Sequence, residues 1–271
     1  MKVSTEFLDT LQNRIDMIAN NIANINTPGF KEQLLAVEEG YDTRDRSNEV
    51  AEYGGVMPGT ENQVRDKNLY VGQRINFNQG ALIQTGNLWD LAINGDGFFQ
   101  IKTPDGKIGY TRAGLFGTDS AGNLVNNEGM LVEPLINIPT NIAELSVKSD
   151  GTVKAILLKE GADGTTAGSL IGEQEEVEIA KIPLYTFHNI DGLEQMGHNT
   201  YLATKASGEA IVGVAGSDGY GEIQSGMLER SNTDIVKAMT SLIQTQRAYQ
   251  LEARRLKSQD EMMQQAAMIR G

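Results

Sequence analysis

Residues 8–29, LDTLQNRIDMIANNIANINTPG, are the stretch of sequence that most constrains the fold. Apolar residues recur in it at alternating spacings of three and four, which is the pattern of one narrow stripe along a helix. The stripe consists of Leu8, Leu11, Ile15, Ile18, Ile22 and Ile25. Thr27-Pro28-Gly29 then predicts the end of the helix, because proline disfavours the helical conformation in the residue before it and glycine tolerates positive φ.

The C-terminal end of the chain repeats this pattern over a longer distance. Residues 231–234, SNTD, are of the types that cap the start of a helix, and neither glycine nor proline occurs from there to Arg270. The sequence therefore predicts one helix of roughly 35 residues, about 50 Å long. Its apolar row repeats every seven residues, at Ile235, Leu242, Tyr249, Leu256 and Met263. A stripe this long needs a partner, so we expect the two terminal helices to form a coiled-coil-like module.

The residues between the helices have a different composition. Residues 32–221 contain 13 basic and 27 acidic groups and 27 of the 30 glycines, whereas the two ends are nearly neutral. Short apolar segments separated by turn residues, such as Asn94-Gly95-Asp96-Gly97, indicate β-strands. We therefore predict an α+β fold. Its parts are an N-terminal assembly helix over 1–30, a polar, irregular and extended connector over 31–70, a central all-β domain over 71–222 and a C-terminal assembly helix over 223–271.

Charge and cysteine content exclude several classes of function. The formal net charge is -13, so the chain would be repelled by nucleic acid and by anionic lipid. No apolar run approaches the ~20 residues of a membrane helix, and we expect no membrane insertion. The N-terminus shows no pattern of a cleaved secretory signal peptide. There is no cysteine, which removes disulfides, thiolate metal sites and cysteine nucleophiles together.

Residues with catalytic potential are few. The two histidines, His188 and His198, match no zinc spacing, and we interpret them as polar loop or strand-edge residues. No G-x-S-x-G motif is present to anchor a hydrolase triad. The acidic run around Glu173 and Glu178 is better explained as a solvated loop and strand edge than as an acid–base pair. The sequence therefore predicts no enzyme activity, no cofactor and no metal site.

Two polar clusters near the apolar stripes remain to be explained. Asparagine is a mediocre helix former, so the close spacing of Asn20, Asn21 and Asn24 indicates that their amides bond to another backbone or another chain. Local capping of the helix end is the alternative. In the long helix, Gln246 and Arg247 lie beside the apolar row and suit a hydrogen-bonded helix–helix contact, with an ordinary solvated face as the alternative.

At these residues the sequence resembles the rod and hook proteins of the bacterial flagellum. The resemblance is found at residues 20–31 (NNIANINTPGFK), 91–101 (LAINGDGFFQI), 110–116 (YTRAGLF), 224–226 (QSG), 229–234 (ERSNTD) and 246–250 (QRAYQ). Their order and spacing extend through nearly the whole chain. The length and the C-terminal segment are most similar to the subunit of the distal rod, with the proximal rod and the hook as alternatives within the family.

The resemblance implies a structural subunit that polymerises with itself into a helical tube and contacts other rod and hook proteins. It also implies passage as an unfolded chain through the flagellar type III export apparatus, without a cleaved signal. The expected location is the basal body, outside the cytoplasmic membrane. Two functions of other classes are alternatives: an extracellular β-rich adhesin with a helical stalk, and a glycan hydrolase, which would need a buried carboxylate pair.

Overall fold

The structure is a computed structural model that describes residues 2–41, 67–138, 142–157 and 176–269. These residues form two compact units. The first contains the described residues up to Asn20, those of Gln33–Ile75 and those from Met239 onward. The second contains Asn21–Glu32 and the described residues from Asn76 to Ala238.

Both predicted helices are present. Helix α1 is Lys2–Ala23 and helix α2 is Ile235–Ile269. Helix α1 was predicted to continue to Thr27-Pro28-Gly29, but it ends at Ala23, and Ile25, the last residue of the stripe, lies in the turn that follows. In that turn the Thr27 N–H donates to the Asn24 carbonyl at 3.1 Å, and the Thr27 hydroxyl donates to Asn24 Oδ1 at 3.2 Å.

Helix α2 starts at one of the predicted capping residues. Asp234 Oδ1 accepts hydrogen bonds from the backbone N–H groups of Val236 at 3.0 Å and Lys237 at 3.2 Å. These groups lie at a helix N-terminus, where donors lack partners within the helix. The N–H of Lys237 is the main cause that lowers the pKa of the Asp234 carboxyl below its ordinary value.

The first unit also contains a two-stranded antiparallel sheet. Strand β1, Gln33–Tyr41, pairs along its whole length with strand β2, Lys67–Ile75, so that Gln33 lies opposite Ile75 and Tyr41 opposite Lys67. All of β1 and the first four residues of β2 lie within the segment predicted to be an irregular connector. The prediction of an irregular connector was wrong for residues 33–41 and 67–70. These residues owe their regular structure to pairing with a distant strand, which a local sequence pattern does not show.

The second unit is β-rich, as predicted. Its strands are β3 (Leu82–Gln84), β4 (Leu91–Asn94), β5 (Phe99–Lys102), β6 (Ile108–Thr111), β7 (Phe116–Thr118), β8 (Leu124–Asn126), β9 (Leu131–Glu133), β10 (Ile142–Val147), β11 (Thr152–Leu157), β12 (Glu176–Lys181), β13 (Leu184–Thr186), β14 (Glu194–Gly197), β15 (Thr200–Leu202), β16 (Ile211–Gly213), β17 (Glu222–Ser225) and β18 (Met227–Glu229). A short 3-10 helix, Ile190–Gly192, precedes β14.

The sheets combine strands that are distant in sequence. A seven-stranded antiparallel sheet has the order β14-β15-β6-β5-β9-β8-β7, and a second sheet has the order β10-β11-β12. Three further pairs are β13-β16, β17-β4 and β18-β3. The last strands thus return to the first ones: Ile223 of β17 lies opposite Ile93 of β4, and both side chains are buried.

The described residues of this unit share an apolar cluster. Its buried members are Leu91, Ile93, Phe99, Ile101, Phe116, Leu124, Met130, Val132, Ile136, Ile138, Leu145, Val153, Ala155, Ile182, Leu184, Ala215 and Ile223. They come from several sheets, which shows that the short strands share one core. With a helix at each end and antiparallel sheets between them, the predicted α+β class is confirmed. Among the described residues, neither helix has a stretch apolar enough to cross a bilayer.

Candidate functional site

The N-terminal stripe lies on a covered face of the chain. Leu11 and Ile18 are buried, whereas Leu8, Ile15, Ile22 and Ile25 are half-buried. The predicted polar residues differ from one another, since Asn21 is buried, Asn24 is half-buried and Asn20 is exposed. Met17, which lies outside the predicted stripe, is also buried and widens it.

The C-terminal stripe is covered over only part of α2. Leu242, Tyr249 and Leu256 are half-buried, and Ala238 and Thr245 are buried between the positions of the heptad row. By contrast, Ile235 and Met263 are exposed, as are Gln246 and Arg247. Every side chain of residues 257–265 is exposed, so the covered side of the helix does not continue from Leu256 into these residues.

Helix α2 has a second apolar face, on the side opposite Thr245. Met239, Ile243 and Leu251 lie there and are 48%, 52% and 66% exposed. An amphipathic helix of a globular protein normally turns such residues inward and presents polar groups on its other side. Helix α2 therefore exposes large apolar side chains on this side, between polar ones such as Arg247 and Gln250, in addition to its covered side.

The residues after α1 are embedded in the second unit. The Gly29 N–H donates to the Glu229 carbonyl at 2.8 Å, and the Pro28 carbonyl accepts from Asn199 Nδ2 at 3.1 Å. Gly29 has φ +69°, and a Cβ at this position would lie 2.5 Å from the backbone nitrogen of Ala113. Glycine is therefore required here both by the backbone conformation and by the close approach of another segment.

One asparagine joins this segment to the start of α2. Asn232 Oδ1 accepts from the Glu32 N–H at 2.7 Å, while its Nδ2 donates to the carbonyls of Asn76 at 2.8 Å and Asn78 at 2.9 Å. The Asn76 N–H in turn donates to the Glu32 carbonyl at 2.8 Å. Three segments of the second unit are thus held together by one side-chain amide.

A buried ion cluster lies beside this asparagine. Lys31 Nζ is 2.6 Å from Glu229 Oε1 and donates to the Asn78 carbonyl at 2.8 Å. Arg112 Nε is 3.5 Å from Glu229 Oε2. The side chains of Lys31, Glu229 and Arg112 are only 1%, 0% and 4% exposed. Desolvation by burial is the main cause that lowers the pKa of Lys31 and of Arg112, and the charge of Glu229 opposes it in both cases.

The other polar atoms of Arg112 and Glu229 differ in their hydrogen bonding. Arg112 donates through its two terminal nitrogens to the carbonyls of Gly97 at 2.8 Å and Gly95 at 2.9 Å. Glu229 Oε1 also accepts from the Gly80 N–H at 2.8 Å. Glu229 Oε2 is buried and has no hydrogen-bond partner among the described residues. Its carboxylate is fixed and shielded from solvent, which suits a structural role.

The sequence predicted the helical residues but not the junction, which is the set of contacts that Lys31, Arg112, Asn199, Glu229 and Asn232 make between distant segments. The prediction assigned no role to Arg112, Asn199 or Glu229 and considered Asn232 only as a candidate helix cap, although Arg112, Glu229 and Asn232 lie inside the motifs that carry the family resemblance. The only local signal was a charged residue directly after an apolar one, at Leu228-Glu229. Such a pattern is typical of many surface strands, so it could not identify a buried carboxylate.

The residues considered for catalysis lie elsewhere in the second unit. His198 is 75% exposed and its Nδ1 is 2.8 Å from Glu128 Oε1. His188 is exposed and lines a shallow cavity of about 370 Å³ together with Asp96, Phe98 and Phe187. Glu178 is exposed on β12. Among the described residues, no group of three histidine or acidic side chains is placed to bind a metal ion.

Comparison with known proteins identifies three matching regions. Residues 1–31 match the model of the flagella basal body rod protein, residues 92–155 the D1 domain of the flagellar hook protein FlgE/F/G, and residues 224–269 the C-terminal region of flagellar basal body rod FlgEFG proteins. The first and third regions contain the two terminal helices and most of the junction.

Full-length relatives extend the match to nearly the whole chain. The flagellar basal-body rod protein FlgG of Agrobacterium fabrum is 36% identical over 97% of this chain and 95% of its own length. FlgG of Bacillus subtilis is 32% identical, with 97% of this chain and 96% of the relative covered. The rod protein FlgF of Caulobacter vibrioides is 31% identical, with 95% and 91% covered.

Proposed function

Since this chain belongs to the flagellar basal-body rod protein family and is a structural subunit of the rod, not an enzyme, we propose that copies of it polymerise into a helical tube. The tube is the drive shaft that transmits torque from the motor to the hook. In it the subunit contacts further copies of itself and other rod and hook proteins. We assign assembly to the segments 1–30 and 223–271, which pack as a coiled-coil-like module, and leave the β domain, near 71–222, outside the tube core.

The second apolar face of α2 is the observation that supports this proposal most directly. Met239, Ile243 and Leu251 are large apolar side chains that remain exposed in the isolated subunit. Large apolar side chains that are exposed together on one side of a helix favour a contact with another protein. The end of α2 supports the same conclusion, since residues 257–265 have no covered side. Burial against neighbouring subunits would remove both from water.

We further propose that the chain reaches the rod through the flagellar type III export apparatus, without cleavage of a signal peptide. Its place is the basal body, outside the cytoplasmic membrane. Family membership supports this route, because a rod subunit has to be delivered to a structure that lies beyond that membrane.

The test is the substitution Ile243→Asp, with Ile211→Asp as the matched control. Ile243 is 52% exposed on α2 and Ile211 is 49% exposed on β16, so both changes put a carboxylate in place of a half-exposed isoleucine. We expect both purified variants to keep the circular dichroism spectrum and melting temperature of the unaltered protein. In cells that carry each variant as the only copy, we expect Ile243→Asp to abolish rod completion and motility, and Ile211→Asp to preserve them.

An unpaired carboxylate in a subunit contact costs several kcal/mol, and the same cost recurs at every subunit of the polymer. Complete rods and normal motility with Ile243→Asp would therefore refute the assignment of this face. Loss of motility with both variants would refute the assignment of assembly to α2 over the β domain. Electron microscopy of basal bodies distinguishes a missing rod from a rod that is complete but inactive.

A further inference from the structure

The Lys31–Glu229–Arg112 cluster brings together three parts of the chain that are distant in sequence. Lys31 ends the segment after α1, Arg112 follows β6 and Glu229 ends β18. All three side chains are almost completely shielded from water. A buried ion is stable only while its partners are in place, so Lys31 and Arg112 both depend on Glu229, and Glu229 depends on them.

The charges of the cluster do not balance in pairs. Two cations face one carboxylate, and the charge of Arg112 contributes to lowering the pKa of Lys31. If Lys31 leaves, Glu229 keeps only Arg112, whose Nε is 3.5 Å away, and the Gly80 N–H. If Glu229 leaves, Lys31 loses its carboxylate partner and Arg112 keeps only the smaller favourable effect of the Asp96 charge. The loss of Lys31 thus destabilises buried Glu229, and the loss of Glu229 destabilises buried Lys31.

Backbone contacts connect the same segments. The Gly29 N–H donates to the Glu229 carbonyl, and the Arg230 N–H donates to the Ala81 carbonyl at 2.9 Å, next to the Gly80 N–H that Glu229 binds. Movement of the Glu229 side chain therefore acts on the backbone at both ends of the chain.

We propose that this cluster is a conformational latch that makes the docking of residues 27–32 and of residues 227–232 on the β-rich unit mutually dependent. Neither segment stays docked when the other is released. The subunit therefore has two main states, with both ends seated or with both ends free, and few molecules with one end seated. The latch concerns the single subunit and holds whether or not the α2 face serves assembly.

Amide hydrogen exchange on the full chain tests the latch. The probe is the Arg230 N–H, which bonds to the Ala81 carbonyl and not to the altered residue Lys31. In Lys31→Met we expect the Arg230 N–H to exchange at least about tenfold faster than in the unaltered protein, with the Gly29 N–H accelerated to a similar extent. The Ile223 N–H, which bonds to the Ser149 carbonyl at 3.0 Å, should stay unchanged. Lys237→Met is the matched control, since Lys237 is 84% exposed and 3.6 Å from Asp234.

Two results would overturn the latch. Acceleration at Gly29 without acceleration at Arg230 would show that Lys31 acts only on its own segment. Equal acceleration at Ile223 would show general destabilisation. In the control variant all three amides should exchange at unaltered rates.

A double-mutant cycle provides a second measurement, which compares folding stabilities and does not depend on the exchange of single amides. We expect Lys31→Met and Glu229→Gln each to lower the folding equilibrium constant at least about tenfold in urea titrations. The double variant should lose clearly less than the product of the two factors, because no buried carboxylate is then left with a missing partner. A double variant that loses the full product, or that fails to fold, refutes the mutual dependence.

Discussion

Replacement of Asn232 by alanine should destabilise the protein more than its half-exposed position indicates. The side-chain amide of Asn232 makes three hydrogen bonds, one accepted from the Glu32 N–H and two donated to the carbonyls of Asn76 and Asn78. Each bond contributes about 1 kcal/mol to the free energy of unfolding when its partners are partly buried. Because water can reach some of the freed groups, we expect a loss of about 2–3 kcal/mol for Asn232→Ala.

The substitution Asn232→Asp separates hydrogen bonding from packing, because it hardly changes the shape of the side chain. The new carboxylate still accepts from the Glu32 N–H but cannot donate, and one of its oxygens lies within about 3 Å of two carbonyl oxygens. We therefore expect Asn232→Asp to be at least as destabilising as Asn232→Ala at neutral pH. A role in packing alone predicts the opposite order.

Reversible urea unfolding at pH 7, followed by circular dichroism, measures these differences. Asn189→Ala is the matched control, since the Asn189 side chain makes one exposed hydrogen bond, to the Ala206 carbonyl at 3.2 Å. The control should lose no more than about 0.5 kcal/mol. Asn232→Asp with the stability of the unaltered protein, or Asn232→Ala within the range of the control, would refute the reasoning.

Three further predictions concern the two ends of the chain. Leu242→Asp should leave the β-rich unit folded, as judged by its near-ultraviolet spectrum, and abolish motility, whereas His188→Ala should affect neither; a motile Leu242→Asp strain would contradict the assembly role of α2. Gly29→Ala should lower the free energy of unfolding by about 3 kcal/mol or more, because it combines an unfavourable φ with a Cβ close to the Ala113 backbone, and a loss below 1 kcal/mol would contradict this. Asp234 has a lowered pKa in the folded state, so its stabilising contribution is complete above its ordinary pKa of 3.8 and disappears as the pH falls through the folded value. The stability difference between the unaltered protein and Asp234→Ala should therefore be present at pH 7 and vanish at low pH, and a difference independent of pH would contradict the cap.

The helices could be predicted from the sequence because their signals are local. The stripe from Leu8 to Ile22 and the glycine-free run after Asp234 depend on neighbours three or four residues away. The strands near Asn94 were predicted for the same reason, since a turn signal separates two short apolar runs. Local patterns were sufficient for these elements.

The pairing of distant segments could not be predicted in this way. Strand β17 pairs with β4 across more than a hundred residues, and no feature of Ile223 identifies Ile93 as its partner. The predicted domain boundary after residue 222 accordingly falls inside β17. The buried cluster is missed for the same reason, because Glu229 resembles a surface residue until Lys31 and Arg112 are placed beside it.

The return of the last strands to the first has a consequence for the time at which the protein can fold. Synthesis proceeds from the N-terminus, so β3 and β4 are complete long before β17 and β18 exist. Until residues 222–229 emerge, the buried positions of β4 lack their neighbour, and contacts of such long range form slowly even afterwards. For most of its synthesis, a nascent chain therefore cannot form the β17-β4 and β18-β3 pairs that complete the β-rich unit. For the export route proposed above, this delay provides a period in which the chain can be captured before it folds.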